Sequence, residues 1–305
     1  MLVERQQSDG GGTAAKGPGG GGALSPMVPV AVEMKTGKAG MSADRPPTGV
    51  VMSVIMPVYN EEATLPKTLD AVSAYAAEHP EVRFVIADDG SRDGSVELVR
   101  SRLGLIGGAE MGADGRLMGP GDARVVLLAL TPNGGKGEVV RRAMRVVESP
   151  MLAFMDGDLA YLPEEHLPEM IEKLGRFDVV IGARHESFEE RRNTKRLRRV
   201  MGWTFNKVVR AGLGLGFEDT QAGVKGFRRE AAKAIFSRSR LSGFSFDVEL
   251  LFVAKRLGLS VVEIPAKVAR AHRKKPTKVN LATEPVRMLG DLGKVRWNWL
   301  RGRYK

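Results

Sequence analysis

Between Val50 and Gly182, apolar runs of strand length alternate with stretches in which apolar residues recur every three or four positions. Val51 to Val58 and Val82 to Ala87 are short, apolar and rich in β-branched residues, which predicts buried strands. Thr64 to Glu78 carries Leu65, Leu69, Val72 and Tyr75 at helical spacing, and Ser95 to Leu103 predicts a shorter helix. The series continues with a strand over Arg124 to Leu130 and a helix from Lys136 to Val147. A strand ending at Asp156, a helix over Glu164 to Leu174 and a strand over Asp178 to Gly182 complete it. Apolar strands that alternate with helices predict an α/β fold: a mostly parallel twisted sheet with helices on both faces. The glycine-rich stretch Gly104 to Gly121 breaks the series and reads as a surface insertion. After Glu186 the pattern becomes mainly helical and basic, with one strand near Val224 to Phe227. Residues 1–48, with Gly10 to Gly12, Gly19 to Gly22 and Pro46-Pro47, hold little that could be buried and predict a disordered tail. The expected division is a tail over 1–48, an α/β domain over 49–278 and a basic amphipathic segment over 279–305.

Composition narrows the chemistry. Of 305 residues 43% are hydrophobic, enough for a sizeable core, and there is no cysteine, which removes disulfides, thiolate metal sites and cysteine nucleophiles. No apolar run approaches the roughly 18 to 20 residues that span a bilayer, and the first residues lack the apolar core of a signal peptide. The expectation is a cytoplasmic protein that touches a membrane only at its surface. The net charge of +11 is unevenly placed. From Lys267 onward, twelve basic residues face only Glu284 and Asp291, and a second cluster runs through Arg191, Arg192, Lys195, Arg196, Arg198 and Arg199. Such patches attract phosphate, whether in nucleic acid, anionic lipid or a phosphorylated substrate. Aromatic residues make up only 6% and no nucleic-acid-binding motif is present, so no nucleic-acid partner is expected.

Four strand ends carry the polar groups. The run Met151 to Met155 ends in Asp156-Gly157-Asp158, and residues two apart on an extended chain point the same way, so both carboxylates can face one ion. Hard oxygen ligands suit Mg²⁺ or Mn²⁺. The triplet alone also fits a turn or a helix cap, so its neighbours matter. The first strand ends in Pro57-Val58-Tyr59-Asn60-Glu61-Glu62, the second in Asp88-Asp89-Gly90-Ser91-Arg92-Asp93-Gly94, and the third leads to Asn133-Gly134-Gly135-Lys136-Gly137. In an open α/β sheet these ends line the ligand crevice. Tyr59 can stack on a base, carboxylates can accept from a ribose or base, and glycines beside Lys136 admit a phosphate. No Walker phosphate loop and no strand leading into G-x-G-x-x-G is present.

Taken together, Ser53 to Glu62, Asp88-Asp89-Gly90-Ser91, Gly135-Lys136-Gly137 and Asp156-Gly157-Asp158 resemble an inverting family 2 glycosyltransferase with a GT-A fold. Asp219 to Phe227 and Phe246 to Leu251 resemble its dolichyl-phosphate glucosyltransferase branch, to which the dolichyl-phosphate mannose synthases are near relatives. The resemblance runs from about Val50 to the C-terminus. It implies that Pro57, Tyr59 and Glu61 hold the base and ribose of a nucleotide-sugar, with Asp89 and Asp88 at the base edge. Asp156 and Asp158, with Gly157 between them, would engage Mg²⁺ or Mn²⁺ on the donor diphosphate. Lys136 and Arg184 would contact donor or acceptor phosphate, with Arg198 on the acceptor side, and Gln221 and Lys225 would line the sugar and phosphate side. Mannose synthases often place a metal-binding Gln two residues after the second Asp, where this chain has Ala160. The implied reaction is transfer of glucose from UDP-glucose to a polyprenyl phosphate at an anionic membrane surface. GDP-mannose as donor, or a soluble hydroxyl acceptor, are the alternatives, and a hydroxyl acceptor would need a base, for which Asp219 or Glu218 stands nearest. Asp219 otherwise caps the segment that follows, and Asp247 and Glu249 otherwise serve the core. The segment Asn280 to Tyr304 reads either as a membrane-surface helix or as a helix packed on the core. Nothing in the sequence fixes an oligomeric state.

Overall fold

The computed structural model describes residues 49–184, 209, 212–243, 245–269, 272 and 284–304. The N-terminal tail, Arg198 with the rest of its basic cluster, and most of the basic run 270–278 lie outside the described residues.

The apolar strands assemble into one nine-stranded sheet whose centre is β1 (Met52–Val58). On one side β1 pairs in parallel with β2 (Val82–Asp88), and on the other with β6 (Met151–Met155). Chain order therefore reverses direction at β1, which opens a crevice at its C-terminal end. Beyond β2 lie β5 (Val125–Ala129), β3 (Ala109–Met111) and β4 (Leu117–Met118). Beyond β6 lie β8 (Val224–Arg228), β7 (Val179–Ala183) and β9 (Val261–Pro265). Five neighbouring pairs run parallel; β3–β4, β6–β8 and β7–β8 run antiparallel. The sheet is α/β and mostly parallel.

Period-two alternation divides the core between the two faces. Met52, Val54, Met56 and Val58 of β1 pack with α1 (Leu65–Glu78), α2 (Ser95–Ile106) and α4 (Pro163–Leu174). Ile55 turns to the other face, against α3 (Lys136–Val146), α5 (Arg229–Arg238) and α6 (Phe246–Arg256). The C-terminal helix α7 (Glu284–Leu300) joins this second face through Leu292 and Val295, and Tyr304 follows them into the core. Trp299 meets Phe252 edge-on with ring centroids 6.3 Å apart. Among the described residues no helix is long and apolar enough to cross a membrane.

Two parts of the sheet differ from the sequence pattern. The glycine-rich excursion contributes β3 and β4, which extend the sheet because Ala109 and Met111 are buried beside β5. Strand β9 forms the opposite edge, pairing in parallel with β7 from Val179↔Val261 to Ala183↔Pro265. Its residues are mostly half-buried, as an edge strand allows, so their apolar signal is weak.

Glu249 shows how the α6 face is tied to the C-terminus. Its carboxylate is fully buried, Oε2 accepts from the Arg240 and Leu241 amides at 2.8 Å each, and Oε1 accepts from the Tyr304 hydroxyl at 2.6 Å. Glu249→Leu strands those donors in an apolar setting. We expect it to cost about 3 kcal/mol or more in a urea denaturation, the scale of unpaired buried polar groups. Unchanged stability would contradict the clamp.

Candidate active site

The ends of β1 and β2 are laced together before any ligand arrives. Asn60, in the left-handed region at φ 51°, donates its amide to Ser91 Oγ at 2.9 Å and accepts at Oδ1 from the Arg92 amide at 2.8 Å. The Glu61 amide donates to Ser95 Oγ at 3.0 Å, and the Gly94 amide donates to Glu62 Oε2 at 3.0 Å. Tyr59 is left 41% exposed on this rim, beside half-buried Pro57 and Glu61. Glu61 Oε2 accepts from the Thr64 hydroxyl at 2.6 Å.

Asp88 and Asp89 are both buried, and each holds a neighbouring loop. Asp88 accepts from the Ser91 amide at 2.9 Å and from the Ser91 hydroxyl. Asp89 holds the loop after β5: Gly134 and Gly135 donate to its two oxygens at 2.8 and 2.7 Å, and Asn133 Nδ2 adds a bond at 2.9 Å. Burial raises its pKa and those amides oppose the rise without cancelling it. The loop they fix delivers Lys136 at the start of α3.

Lys136 reaches Asp156, with Nζ 2.6 Å from Oδ1. Burial alone would lower the Lys136 pKa, but the charges of Asp156 and Asp247 outweigh it and the pKa is raised. The Asp156 side chain lies directly over Gly223, where an added Cβ would meet Oδ2 at 1.9 Å, so only glycine seats this carboxylate. Gly157 is constrained from the other side, since a Cβ there would meet Val58 Cγ1 at 2.7 Å and the Pro57 carbonyl oxygen at 2.8 Å. Its own carbonyl accepts from Thr68 Oγ1 at 2.8 Å. Gly157 thus serves by letting the turn press against β1.

Asp158 faces His272, whose Nδ1 lies 3.3 Å from Oδ2, while Oδ1 accepts from the Ala160 amide at 3.1 Å. The segment leading to His272 is stitched along the site edge. The Ala266 amide donates to the Ala183 carbonyl at 2.8 Å and the Ala269 amide to the Ala160 carbonyl at 2.9 Å. Buried His166 accepts at Nε2 from the Lys267 amide at 3.1 Å and donates from Nδ1 to the Leu162 carbonyl at 2.8 Å. His272 was not singled out from the sequence, where a lone histidine inside a basic run carries no spacing signal.

On the other side of β6, Arg184 and Asp219 form a bidentate pair, Nε to Oδ2 at 2.5 Å and Nη2 to Oδ1 at 3.1 Å. The Gln221 amide also donates to Asp219 Oδ1 at 2.9 Å. Burial would raise the Asp219 pKa, but the Arg184 bonds and charge outweigh it and hold it below the usual carboxylate range. An acceptor already bonded this way is a weak general base, so the structure gives Asp219 the role of anchoring Arg184. Glu218 donates its amide to Glu263 Oε1 at 2.9 Å. Tyr161, buried beside these charges, has its pKa pushed up to about 12 by burial.

Lys225 is a correction. It does not line a pocket: its side chain is fully buried beneath β8, with Nζ 2.7 Å from Asp247 Oδ1 and 2.6 Å from the Ala222 carbonyl. It also lies over the Phe154 ring at 5.5 Å. Strand alternation explains this: Lys225 lies across from Phe154 of β6 and shares a face with Phe227, on the side of α6.

Among the described residues no three His, Asp or Glu side chains already converge as a cation site. The donors present nevertheless fit one. The 3.3 Å between His272 Nδ1 and Asp158 Oδ2 is close to the about 3 Å between adjacent ligands of an octahedral ion with bonds near 2.1 Å. Asp156 stands two residues away on the same strand end, and carboxylates suit Mg²⁺ or Mn²⁺ with phosphate oxygens and water completing the shell.

Known proteins are similar to this chain in sequence and in fold. The sequence model of glycosyl transferase family 2 matches residues 53–236. A dolichyl-phosphate beta-glucosyltransferase of Dictyostelium discoideum is 27% identical over 272 residues, covering 85% of this chain and 78% of that protein. An undecaprenyl-phosphate mannosyltransferase of Micrococcus luteus is 30% identical over 259 residues, covering 82% and 97%. Further dolichyl-phosphate beta-glucosyltransferases are matched over 64 to 66% of their own length. In structure, the chain is similar to glucosyl-3-phosphoglycerate synthase from Mycobacterium tuberculosis in complex with Mn²⁺, UDP-glucose and phosphoglyceric acid. The TM-score is 0.55 at 21% identity, covering 81% of this chain and 80% of that one.

The buried Lys225–Asp247 pair yields a stability test. Lys225→Met leaves the Asp247 carboxylate without its cation, which should cost about 3 to 5 kcal/mol. Adding Asp247→Leu removes the stranded charge and should recover most of that loss. Chemical denaturation of the two single variants and the double measures the coupling; additive losses would contradict a direct pair.

Proposed function

The chain belongs to glycosyl transferase family 2, and from that premise we propose that it moves glucose from UDP-glucose to a polyprenyl phosphate with inversion at the anomeric carbon. The observation that carries this reading is Lys136 on Asp156 at the end of β6, a cation and a carboxylate set where a donor diphosphate and its ion meet. Tyr59 on the β1 rim stacks on the base, and Pro57 and Glu61 border the ribose. Asp156 and Asp158, joined by His272, are the residues that would hold Mg²⁺ or Mn²⁺. When bound, the ion supplies positive charge to the departing diphosphate. Lys136 turns its ammonium from Asp156 toward the diphosphate oxygens, and Arg184, held flat by Asp219, keeps N–H groups for a phosphate oxygen.

The acceptor phosphate oxygen forms a bond to the anomeric carbon as the bond from that carbon to the diphosphate breaks. The electron pair leaves with the nucleoside diphosphate. No proton needs to be removed, because the attacking oxygen is already anionic, and this matches the occupied, acid-shifted Asp219. A hydroxyl acceptor would need that base. Mannose is the second reading for the sugar, favoured by the likeness to the Micrococcus luteus mannosyltransferase.

Incubation with labelled UDP-glucose or GDP-mannose, Mg²⁺ and polyprenyl phosphate, followed by lipid extraction, tests donor and acceptor together. We expect label from UDP-glucose in the lipid phase; label found only in a soluble hydroxyl compound would overturn the acceptor. Asp158→Asn should lower turnover about a hundredfold or more with little change in melting temperature, the scale of lost electrostatic stabilisation in a dry site.

The outer face of α7 motivates a membrane contact. Trp297 and Leu300 are 53% and 65% exposed, and Arg301 stacks on Trp297 with its guanidinium carbon 4.5 Å from the ring centroid. Each basic residue near an anionic surface contributes about 1 kcal/mol, fading beyond about 8 Å at physiological salt. Binding to vesicles containing anionic lipid should therefore fall steeply as salt rises. Equal binding to neutral vesicles at every salt concentration would contradict an electrostatic contact.

A further inference from the structure

A cleft of about 890 Å³ opens between α7, the Asn133–Lys136 loop and the Arg240–Gly243 turn. That is the size of a site for a drug-sized ligand. Among the described residues its lining is mostly basic: Lys136, Arg240, Arg287, Lys294 and Arg303, with Asp291 as the one carboxylate. Asp291 is already matched by Lys294 at 2.8 Å. Arg240 and Arg303 bond to neutral oxygens, Arg240 Nη2 to the Arg303 carbonyl at 3.4 Å and Arg303 Nη1 to Asn298 Oδ1 at 3.1 Å. Among the described residues, neither guanidinium forms an ion pair with a carboxylate. The Gly134 and Gly135 amides at the floor are taken by Asp89, so the side chains supply the attraction for an anion.

The wall is built to keep its shape. Buried Glu249 accepts from the Arg240 and Leu241 amides and from the Tyr304 hydroxyl, which fixes both the turn and the C-terminal residues that carry Arg303. The Gly137 amide donates to the Ser242 carbonyl at 2.8 Å and ties the turn to α3. At the mouth stands exposed Trp297, with exposed Leu300 on the same helix. Lys136 belongs both to this lining and to the Asp156 pair, so the cleft adjoins the donor centre.

We propose that this cleft binds a lipid phosphate, a phosphate group between Arg240 and Arg303 with its apolar chain leaving past Trp297. The inference rests on the reading of the acceptor as a lipid phosphate and gives that acceptor a path to the donor centre.

Calorimetric titration of the full chain with farnesyl phosphate, farnesol and inorganic phosphate tests it. Farnesyl phosphate should bind about tenfold or more tighter than either of the others, because only it offers both charge and apolar surface. Arg240→Glu should weaken that binding about tenfold or more, and Arg240→Lys should keep most of it. UDP binding, measured on the same samples, should stay at the wild-type value and reports an intact fold. Wild-type affinity for farnesyl phosphate in both Arg240→Glu and Arg303→Glu would overturn the site. Inorganic phosphate binding as tightly as farnesyl phosphate would overturn the lipid and leave a soluble-anion site. Lipid product formed at the wild-type rate by both variants would remove the cleft from the reaction and leave the reaction standing. A wild-type protein that binds farnesyl phosphate here but forms no lipid product would retain the cleft and remove the reaction.

Discussion

The Asp156 carboxylate at the end of β6 is the constraint around which the crevice is arranged. A half-buried carboxylate loses part of its hydration, which a cation or donors offset. Lys136 supplies the cation at 2.6 Å, and Asp89 in turn fixes the loop that brings Lys136 there. Gly223 leaves the space in which the carboxylate lies, and Gly157 lets the chain turn against β1 between the two aspartates. Beneath them, Lys225 and Asp247 form a second ion pair that is sealed from solvent. The Lys136–Asp156 pair is partly exposed, and the Lys225–Asp247 pair beneath it is buried.

Much of this was legible in the sequence because the signals are local. Strand-helix alternation marks β1, β2, β5 and β6, and the reversal of chain order at β1 places their polar ends in one crevice. Asp156 and Asp158 stand out as a pair at the end of an apolar run, although β6 itself stops at Met155 and the pair lies in the turn that follows. What escaped depends on partners distant in sequence. His272 is brought to Asp158 across more than a hundred residues by the stitching of Lys267 to His166 and of Ala269 to Ala160. Lys225 is polar and sits in a motif segment, yet its register opposite Phe154 turns it to the buried α6 face. The bonds from Gly134 and Gly135 to Asp89 likewise join residues about forty-five positions apart, which no local pattern shows. The short strands β3 and β4 carry too few residues for a period to show.

The electrostatics of the far side bear on the chemistry. Asp219 is bonded to Arg184 and to the Gln221 amide, so its lone pairs and charge serve the guanidinium. An acceptor that arrives already anionic removes the need for a base and makes use of the cations at both flanks, Arg184 on one and the α7 cleft on the other. The C-terminal helix joins these functions physically, since its inner face completes the core through Val295 while its outer face carries Trp297 and Leu300.

The most direct test of the Asp156 centre is the binding of UDP to the purified chain by calorimetry, with Mn²⁺ and with excess chelator, in wild type and in Asp158→Asn. We expect Mn²⁺ to tighten binding about tenfold or more in the wild type, as expected when a cation is shared between carboxylates and diphosphate oxygens. The same ion should have little effect on Asp158→Asn. UDP bound equally tightly with chelator, or equally enhanced by Mn²⁺ in the variant, would contradict the assignment of β6 as the diphosphate end of the site.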